Sequence, residues 1–212
     1  MSWDSNYSKL GRYNKYPFDY IISLTKKYIK NHKINALDAG CGVGNHTKFL
    51  QDEKFNVFAV DSSKTAIKMT KNLVKKKFHN QIICDDLRSV AYKDSFFDLI
   101  IDQMSITHNL EKDVEIIIDN MHRILKKDSI FITSFHSVKN PNLKYGKKNG
   151  NNYDKFKKGS FKYSDIVFAS NYKTLKKKFT KFEILDFKEI INYNLLKNKI
   201  ESSFFTIVLK KI

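Results

Sequence analysis

Three alternating glycines sit in Leu37-Asp38-Ala39-Gly40-Cys41-Gly42-Val43-Gly44-Asn45-His46-Thr47, where an apolar run gives way to a helical pattern. Glycines at such a turn accept unusual dihedrals and let a ligand approach the backbone. A dinucleotide fingerprint wants Gly-x-Gly-x-x-Gly or Ala; here Thr47 occupies the last position and an acid, Asp38, opens the loop. A carboxylate there suits a cofactor bearing an ammonium and a sulfonium better than one bearing a pyrophosphate. Seventeen residues beyond Gly44, Asp61 closes the next apolar run and is followed by Ser62 and Ser63. A carboxylate at that point is able to accept both hydroxyls of a ribose. A third run ends in Cys84-Asp85-Asp86-Leu87, which offers an acid for an exocyclic amino group and a backbone N–H for a ring nitrogen. Each acid alone has a structural alternative: Asp38 as a cap, Asp61 with its serines as a helix start. Together they surround one glycine loop, and a shared ligand accounts for all three.

A second group lies beyond the fourth apolar run, in Asp102-Gln103-Met104-Ser105-Ile106-Thr107-His108-Asn109. His108 is the candidate base for an acceptor that must lose a proton, a role worth about 10²–10⁴-fold in rate. A histidine that merely packs at a helix start is the rival reading. His136, just after the fifth run, is the second candidate. The loop contains neither a Pro-Pro-aromatic nor a Pro-Cys sequence, which disfavours nucleic-acid bases as acceptors.

Strand-length apolar runs alternating with helix-period segments must position these residues, and the alternation predicts an α/β fold with a mostly parallel sheet covered on both faces. Strands are expected at 34–39, 57–60, 81–84, 97–102 and 130–135, and helices at 17–30, 45–53, 64–77 and 112–125. Residues 137–169 lose all period and are rich in Lys, Asn, Gly and Tyr, as in a lid over a bound substrate. Order returns with Ser170 as an N-cap, a helix to residue 179, and strands at 182–187 and 204–209. The division is one domain over 1–212: an arm and helix (1–33), a cofactor-binding core (34–136), a lid (137–170), and a closing helix and hairpin (171–212).

Composition fits that reading. A chain of 212 residues, 42% hydrophobic, suffices for one full core. No run approaches the roughly 18 apolar residues of a membrane span, and the first residues lack a signal-peptide pattern, so a cytoplasmic protein is expected. The only two cysteines, Cys41 and Cys84, fall in core segments without metal-ligand spacing, and no metal site is expected. The net charge of +17 is spread along the chain and reads as a solvated basic surface. Within the lid, however, Lys139, Lys144, Lys147, Lys148, Lys155, Lys157, Lys158 and Lys162 alternate with Tyr145, Tyr153, Phe156, Phe161 and Tyr163. That mixture suits a small anionic or sugar-linked acceptor, with single-stranded RNA as the alternative.

At these motifs the chain resembles the class I S-adenosylmethionine-dependent methyltransferases, in the small-molecule branch whose first motif is Asp-x-Gly-x-Gly-x-Gly. The resemblance covers residues 34–135 and extends to the stretch from Asp86 to Ser95-Phe96-Phe97-Asp98, although Ala91 replaces a frequent proline. It also covers His122-Arg123-Ile124-Leu125-Lys126, where Asp128-Ser129 replaces the usual glycines. It implies a Rossmann-like, mostly parallel seven-stranded sheet closed by an antiparallel hairpin. The cofactor is then S-adenosylmethionine, leaving as S-adenosylhomocysteine: Gly40, Cys41, Gly42 and Gly44 flank the methionine part, Asp61 and Ser62 the ribose, Asp86 and the Leu87 backbone the adenine. Asp38 and Asp102 complete the set. The arm Trp3-Asp4-x-x-Tyr7 followed by Tyr13-Asn14-Lys15-Tyr16-Pro17 is similar to arms of methyltransferases acting on surface polysaccharides and small metabolites, which makes Tyr13 and Tyr16 cofactor candidates. A non-catalytic module that binds the same cofactor is the remaining alternative, and oligomeric state is left open.

Overall fold

The computed structural model describes residues 3–12 and 14–212. Its centre is formed by β1 (Asn35–Ala39) and β4 (Phe97–Asp102), which are buried almost end to end. Parallel strands covered on both faces have no solvent side, which is why their sequences read as unbroken apolar runs. Around them lie β2 (Asn56–Asp61), β3 (Ile82–Cys84) and β5 (Leu125–Ser137), all parallel, in the order β3-β2-β1-β4-β5. The hairpin of β9 (Phe182–Asn194) and β10 (Lys199–Lys211) closes the far side, with β10 antiparallel to β5. These are the seven strands the sequence implied.

Alternate strand residues feed two cores. One face packs Leu37, Ile100 and Phe131 against Val114, Ile117 and Met121 of α5 (Glu111–Ile124). The other packs Ala36, Leu99 and Ile132 against Ile21 of α2 (Asp19–Tyr28), Leu50 of α3 (Asn45–Asp52) and Ile67 of α4 (Lys64–Leu73).

Several expectations need correction. The polar arm begins with a helix, α1 (Trp3–Leu10); its weak helical pattern is overridden by tertiary contacts made through Asp4 and Asn6. The segment expected as a patternless lid folds as a 3₁₀ turn (Pro141–Tyr145), a short hairpin of β6 (Lys147–Asn149) and β7 (Asn152–Asp154), and β8 (Ile166–Ser170). It has its own core of Leu143, Tyr153, Phe156, Phe161, Val167 and Ala169. Three-residue strands are too short to display a period, and this aromatic core is spread over distant positions. β8 pairs with the last residues of β5 where β4 has ended, bringing the sheet to ten strands. Ser170 belongs to β8, and Asn171 caps α6 (Tyr172–Lys176) by accepting from the Thr174 N–H. Cys41 is buried as expected, whereas Cys84 is exposed because β3 is an edge strand. Among the described residues no helix is long and apolar enough to cross a membrane, and no His, Cys, Asp and Glu cluster fits a metal.

Candidate active site

The chain leaves β1 for β2 on one side and later returns to place β4 on the other. Strand order therefore reverses between β1 and β4, and the loops at their carboxyl ends part to leave a crevice. The register puts Ala39 level with Val60 and Asp102, and Asp61 level with Cys84, so the motif residues emerge along one edge. The loops nonetheless touch at one point. Gly40 has φ +70°, and a Cβ built on it would lie 1.9 Å from Ser105 Oγ. Across the crevice, Met104 is held at φ +58°, an unusual conformation for a side chain, with its N–H donated to Ser134 Oγ at 3.0 Å. The crevice opens into a cavity of about 630 Å³, ample for a small ligand.

On the β2–β3 side the cavity is acidic. Asp61 Oδ2 accepts from the Gly42 N–H at 2.9 Å and Oδ1 from the Ser63 N–H at 2.8 Å. A carboxylate has about four acceptor positions, so two bonds fix Asp61 and leave capacity for a ligand. Burial pushes its pKa up, opposed by those two backbone bonds. Asp61 therefore holds the glycine loop, and Ser63 in turn caps α4 by accepting from the Ala66 N–H. Asp85, Asp86, Leu87 and Arg88 continue this wall. The Arg88 guanidinium grips the Asp86 carboxylate and holds its pKa below the ordinary value.

The β4–β5 side carries His108 and His136. The His108 ring faces the Ile166 carbonyl through Nδ1 at 3.2 Å. A carbonyl only accepts, so Nδ1 carries the proton and Nε2 of the neutral ring keeps its lone pair. Burial lowers the His108 pKa to about 4, which keeps the ring neutral at physiological pH. His136 is driven well below its ordinary value by burial and by His108, and its Nδ1 has no hydrogen-bond partner.

Two elements cover the cavity. Helix α1 is pinned by Asp4, whose Oδ1 accepts from Ser63 Oγ at 2.7 Å and the Thr65 N–H at 2.9 Å at the start of α4. An anion is favoured there by the helix dipole, and those bonds hold Asp4 below its usual pKa. The same helix lays Trp3 edge-on against His108 and brings the Tyr7 hydroxyl over Gly42. From the other side the 137–170 segment supplies Asn140, Ser160, Phe161 and Ser164. Asn6 Nδ2 donates to the Tyr163 carbonyl at 2.6 Å and joins the two covers.

Of the sequence-predicted residues, Gly40, Cys41, Gly42, Asp61, Ser62, Asp86, Leu87, His108 and His136 line this one cavity. Gly44 does not; it is the left-handed N-cap of α3, packed on Thr70. Asp38 and Asp102 lie behind the loops and not on the cavity. Thr47 Oγ1 donates to Asp38 Oδ2 at 2.6 Å, so the residue that spoils the dinucleotide fingerprint is the one that holds the loop's acid. Asp102 accepts from the Ser105 and Ile106 N–H groups and from Thr133 Oγ1, which shapes the loop that carries His108. Burial raises both carboxyls to about 7. Tyr16 is 77% exposed and off the cavity, because the chain around it is tied outward: Asn45 Nδ2 donates to the Asn14 carbonyl, and Arg12 donates to Asn45 Oδ1 and the Lys15 carbonyl. Tyr13 lies outside the described residues. The lining residues that sequence reasoning did not assign include Trp3 and Tyr7, although the Trp3-Asp4-x-x-Tyr7 spacing was the signal that pointed to them.

Solved structures share this architecture. The PH0226 protein from Pyrococcus horikoshii matches at 20% identity and a TM-score of 0.72, over 98% of this chain and 99% of that one. A SAM-dependent methyltransferase from Methanosarcina mazei matches at 19% identity and a TM-score of 0.71, over 93% of this chain and 99% of that one. The 1,6-didemethyltoxoflavin-N1-methyltransferase of Burkholderia thailandensis, solved with 1,6-didemethyltoxoflavin and S-adenosylhomocysteine, matches at 14% identity and a TM-score of 0.60, over 85% of this chain and 72% of that one. These likenesses show the fold. No curated protein matches the sequence. Residues 37–133, which carry the glycine loop, the strand-end acids and His108, match the family model described as a methyltransferase domain.

Proposed function

We propose that this protein transfers the methyl group of S-adenosylmethionine to an oxygen or nitrogen atom of a small-molecule acceptor. The observation that carries the reading is one cavity with two chemistries: Asp61, anchored yet with acceptor positions to spare, on one side, and His108 on the other. When bound, S-adenosylmethionine supplies the electrophilic methyl carbon. Asp61 is suited to a ribose, the Gly40–Gly42 backbone to the methionine part, and the Asp86–Leu87 turn to adenine once the Asp86 carboxylate is shared with Arg88. Asp38 and Asp102 act indirectly by fixing the loops. The covers, α1 and the 137–170 segment, exclude water and hold the acceptor in line.

His108 takes the acceptor's proton on Nε2 as the methyl group moves. The imidazole would then carry one positive charge, replacing the charge that the bound methyl donor would have brought into the cavity. The Nδ1–H bond to the Ile166 carbonyl strengthens as the ring becomes cationic. His136 sits 5.5 Å from His108, ring centre to ring centre, and orients the acceptor.

Of the finer expectation, the surface-polysaccharide part rested on the resemblance of the N-terminal arm, and the anionic or sugar-linked acceptor on the lysines and aromatics of the lid. No lysine lines the cavity among the described residues. Lys139 pairs with Glu189, and Lys144, Lys148, Lys158 and Lys162 lie against tyrosine rings. The exposed lysine–tyrosine pairs keep single-stranded RNA as the alternative acceptor, and the appearance of transferred label in RNA decides between the two. Calorimetry with S-adenosylhomocysteine tests the cofactor: saturable binding is expected, weakened by more than about 1.4 kcal/mol, or tenfold, in Asp61→Ala. Absence of binding refutes the proposal, and binding without label transfer to any fraction of a cell extract favours a non-catalytic module.

A further inference from the structure

The half of the cavity that faces His108 has a composition of its own. Every charged residue lining the cavity, Asp61, Asp85, Asp86 and Arg88, belongs to the β2–β3 side. On the acceptor side four aromatic rings follow one another edge to face: Trp3 on His108 at 5.0 Å, His108 on His136 at 5.5 Å, and His136 on Phe161 at 4.7 Å, with interplanar angles of 72°, 76° and 69°. The wall is thus assembled from α1, the loop after β4, the end of β5 and the 137–170 segment. Its polar atoms are the imidazole nitrogens and the Trp3 indole N–H, and the groups around it, among them Gln103, Ser160, Ser164 and Ser202, are amide and hydroxyl.

Such a chamber discriminates. A carboxylate or phosphate brought into it would lose its hydration and meet no cationic side chain, and buried charge without a protein partner is strongly disfavoured. A flat uncharged ring keeps its apolar faces against the wall, since aromatic pairs favour edge-to-face and offset contacts. Its hydroxyl or ring nitrogen then meets the imidazoles and serines.

We infer that the acceptor is an uncharged aromatic or heteroaromatic small molecule carrying the hydroxyl or nitrogen to be methylated, held against the Trp3–His108–His136–Phe161 wall. This rests on the methyl-transfer reading and narrows its substrate. The transfer balances: the acceptor O–H or N–H bond breaks, its proton goes to His108 Nε2, the S–CH₃ bond breaks with its electron pair left on sulfur, and the new bond to carbon forms.

The test is ligand-detected NMR on the whole protein saturated with S-adenosylhomocysteine, using two matched pairs: catechol against its carboxylated counterpart, and pyridine against nicotinate. The uncharged member of each pair should bind saturably and its carboxylate at least roughly tenfold more weakly, because the chamber has no cation to offset desolvation. Phe161→Leu and Trp3→Ala should weaken ring binding while S-adenosylhomocysteine binding persists, and that binding also reports that the variants are folded. Ser164→Lys should invert the preference toward the carboxylates. Equal or tighter binding of the carboxylates, or no saturable binding of either uncharged ring, overturns the inference. Failure of S-adenosylhomocysteine itself to bind overturns the methyl-transfer reading instead.

Discussion

The contact between the loops after β1 and β4 is sharp enough to be tested by adding one methyl group. Gly40→Ala places a Cβ 1.9 Å from Ser105 Oγ and 2.1 Å from Ser105 Cβ, with the Ser105 Cα at 3.6 Å. Two costs add. An L-residue at φ +70° is disfavoured by about 1–2 kcal/mol. Forcing the loops apart costs about 1–3 kcal/mol, as overpacking does in a well-packed core. A loss of about 2–5 kcal/mol is expected in urea unfolding, accompanied by weaker S-adenosylhomocysteine binding, because the same loop lines the cavity. Ser105→Ala should not rescue it, since the 2.1 Å contact with Cβ remains. Ser105→Gly removes both clashing atoms and leaves an ordinary 3.6 Å contact, so the double variant should recover about 1–3 kcal/mol and retain the dihedral cost. Unfolding midpoints and calorimetric titrations of the four proteins complete the cycle. Strict additivity of Gly40→Ala and Ser105→Gly would show that the loops do not meet there, and the geometry assigned to the crevice would fall with it.

Other perturbations read separate parts of the site. His108→Ala should lower kcat by about 10²–10⁴-fold with little change in the KM for S-adenosylmethionine; equal loss of cofactor binding would make the residue structural. His46 and His108 titrate near 6.5 when unfolded and about 4 when folded, so the stability they contribute is complete above pH 6.5 and is lost as pH falls toward 4, at up to about 1.4 kcal/mol per pH unit each. Urea midpoints measured from pH 8 to 4 should show this limb, and His46→Gln should flatten it. Asp38 acts with the opposite sign: raised from 3.8 to about 7 by burial, it contributes stability below pH 4 that is lost as pH rises through 7, so Asp38→Asn should gain stability relative to wild type at pH 8 and not at pH 4. Asp4→Ala, which frees α1 from the start of α4, should speed tryptic cleavage at Lys9 and Arg12 and weaken S-adenosylhomocysteine binding; an unchanged cleavage rate would mean that Asp4 does not hold the cover.

The apolar runs and the glycine loop are local properties of the chain, and the sequence by itself determined the elements that depend on them. Buried parallel strands leave uninterrupted hydrophobic stretches, and a loop that must touch a ligand leaves glycines. Hence β1, β2 and β4 were legible, and so was the placing of Gly40, Gly42, Asp61, Asp86 and His108 at strand ends that line one cavity. Contacts that join distant parts of the chain leave no periodic trace. Asp38 and Asp102 shared the motif of a ligand-binding acid, but only the fold decided that Thr47 and the Ser105–Ile106 backbone take up their oxygens, behind the loops and away from the cavity. Trp3 and Tyr7 became lining residues because Asp4 reaches α4 some sixty residues away and Asn6 reaches the Tyr163 carbonyl. The 137–170 segment is stabilised by side chains scattered over its length, so its order could not be read from spacing. The lid lysines looked from the sequence like an anion trap. Tertiary structure turned their charges outward and left aromatic rings and neutral imidazoles facing the cavity, because a long lysine side chain reaches solvent at little cost while a ring gains by burial.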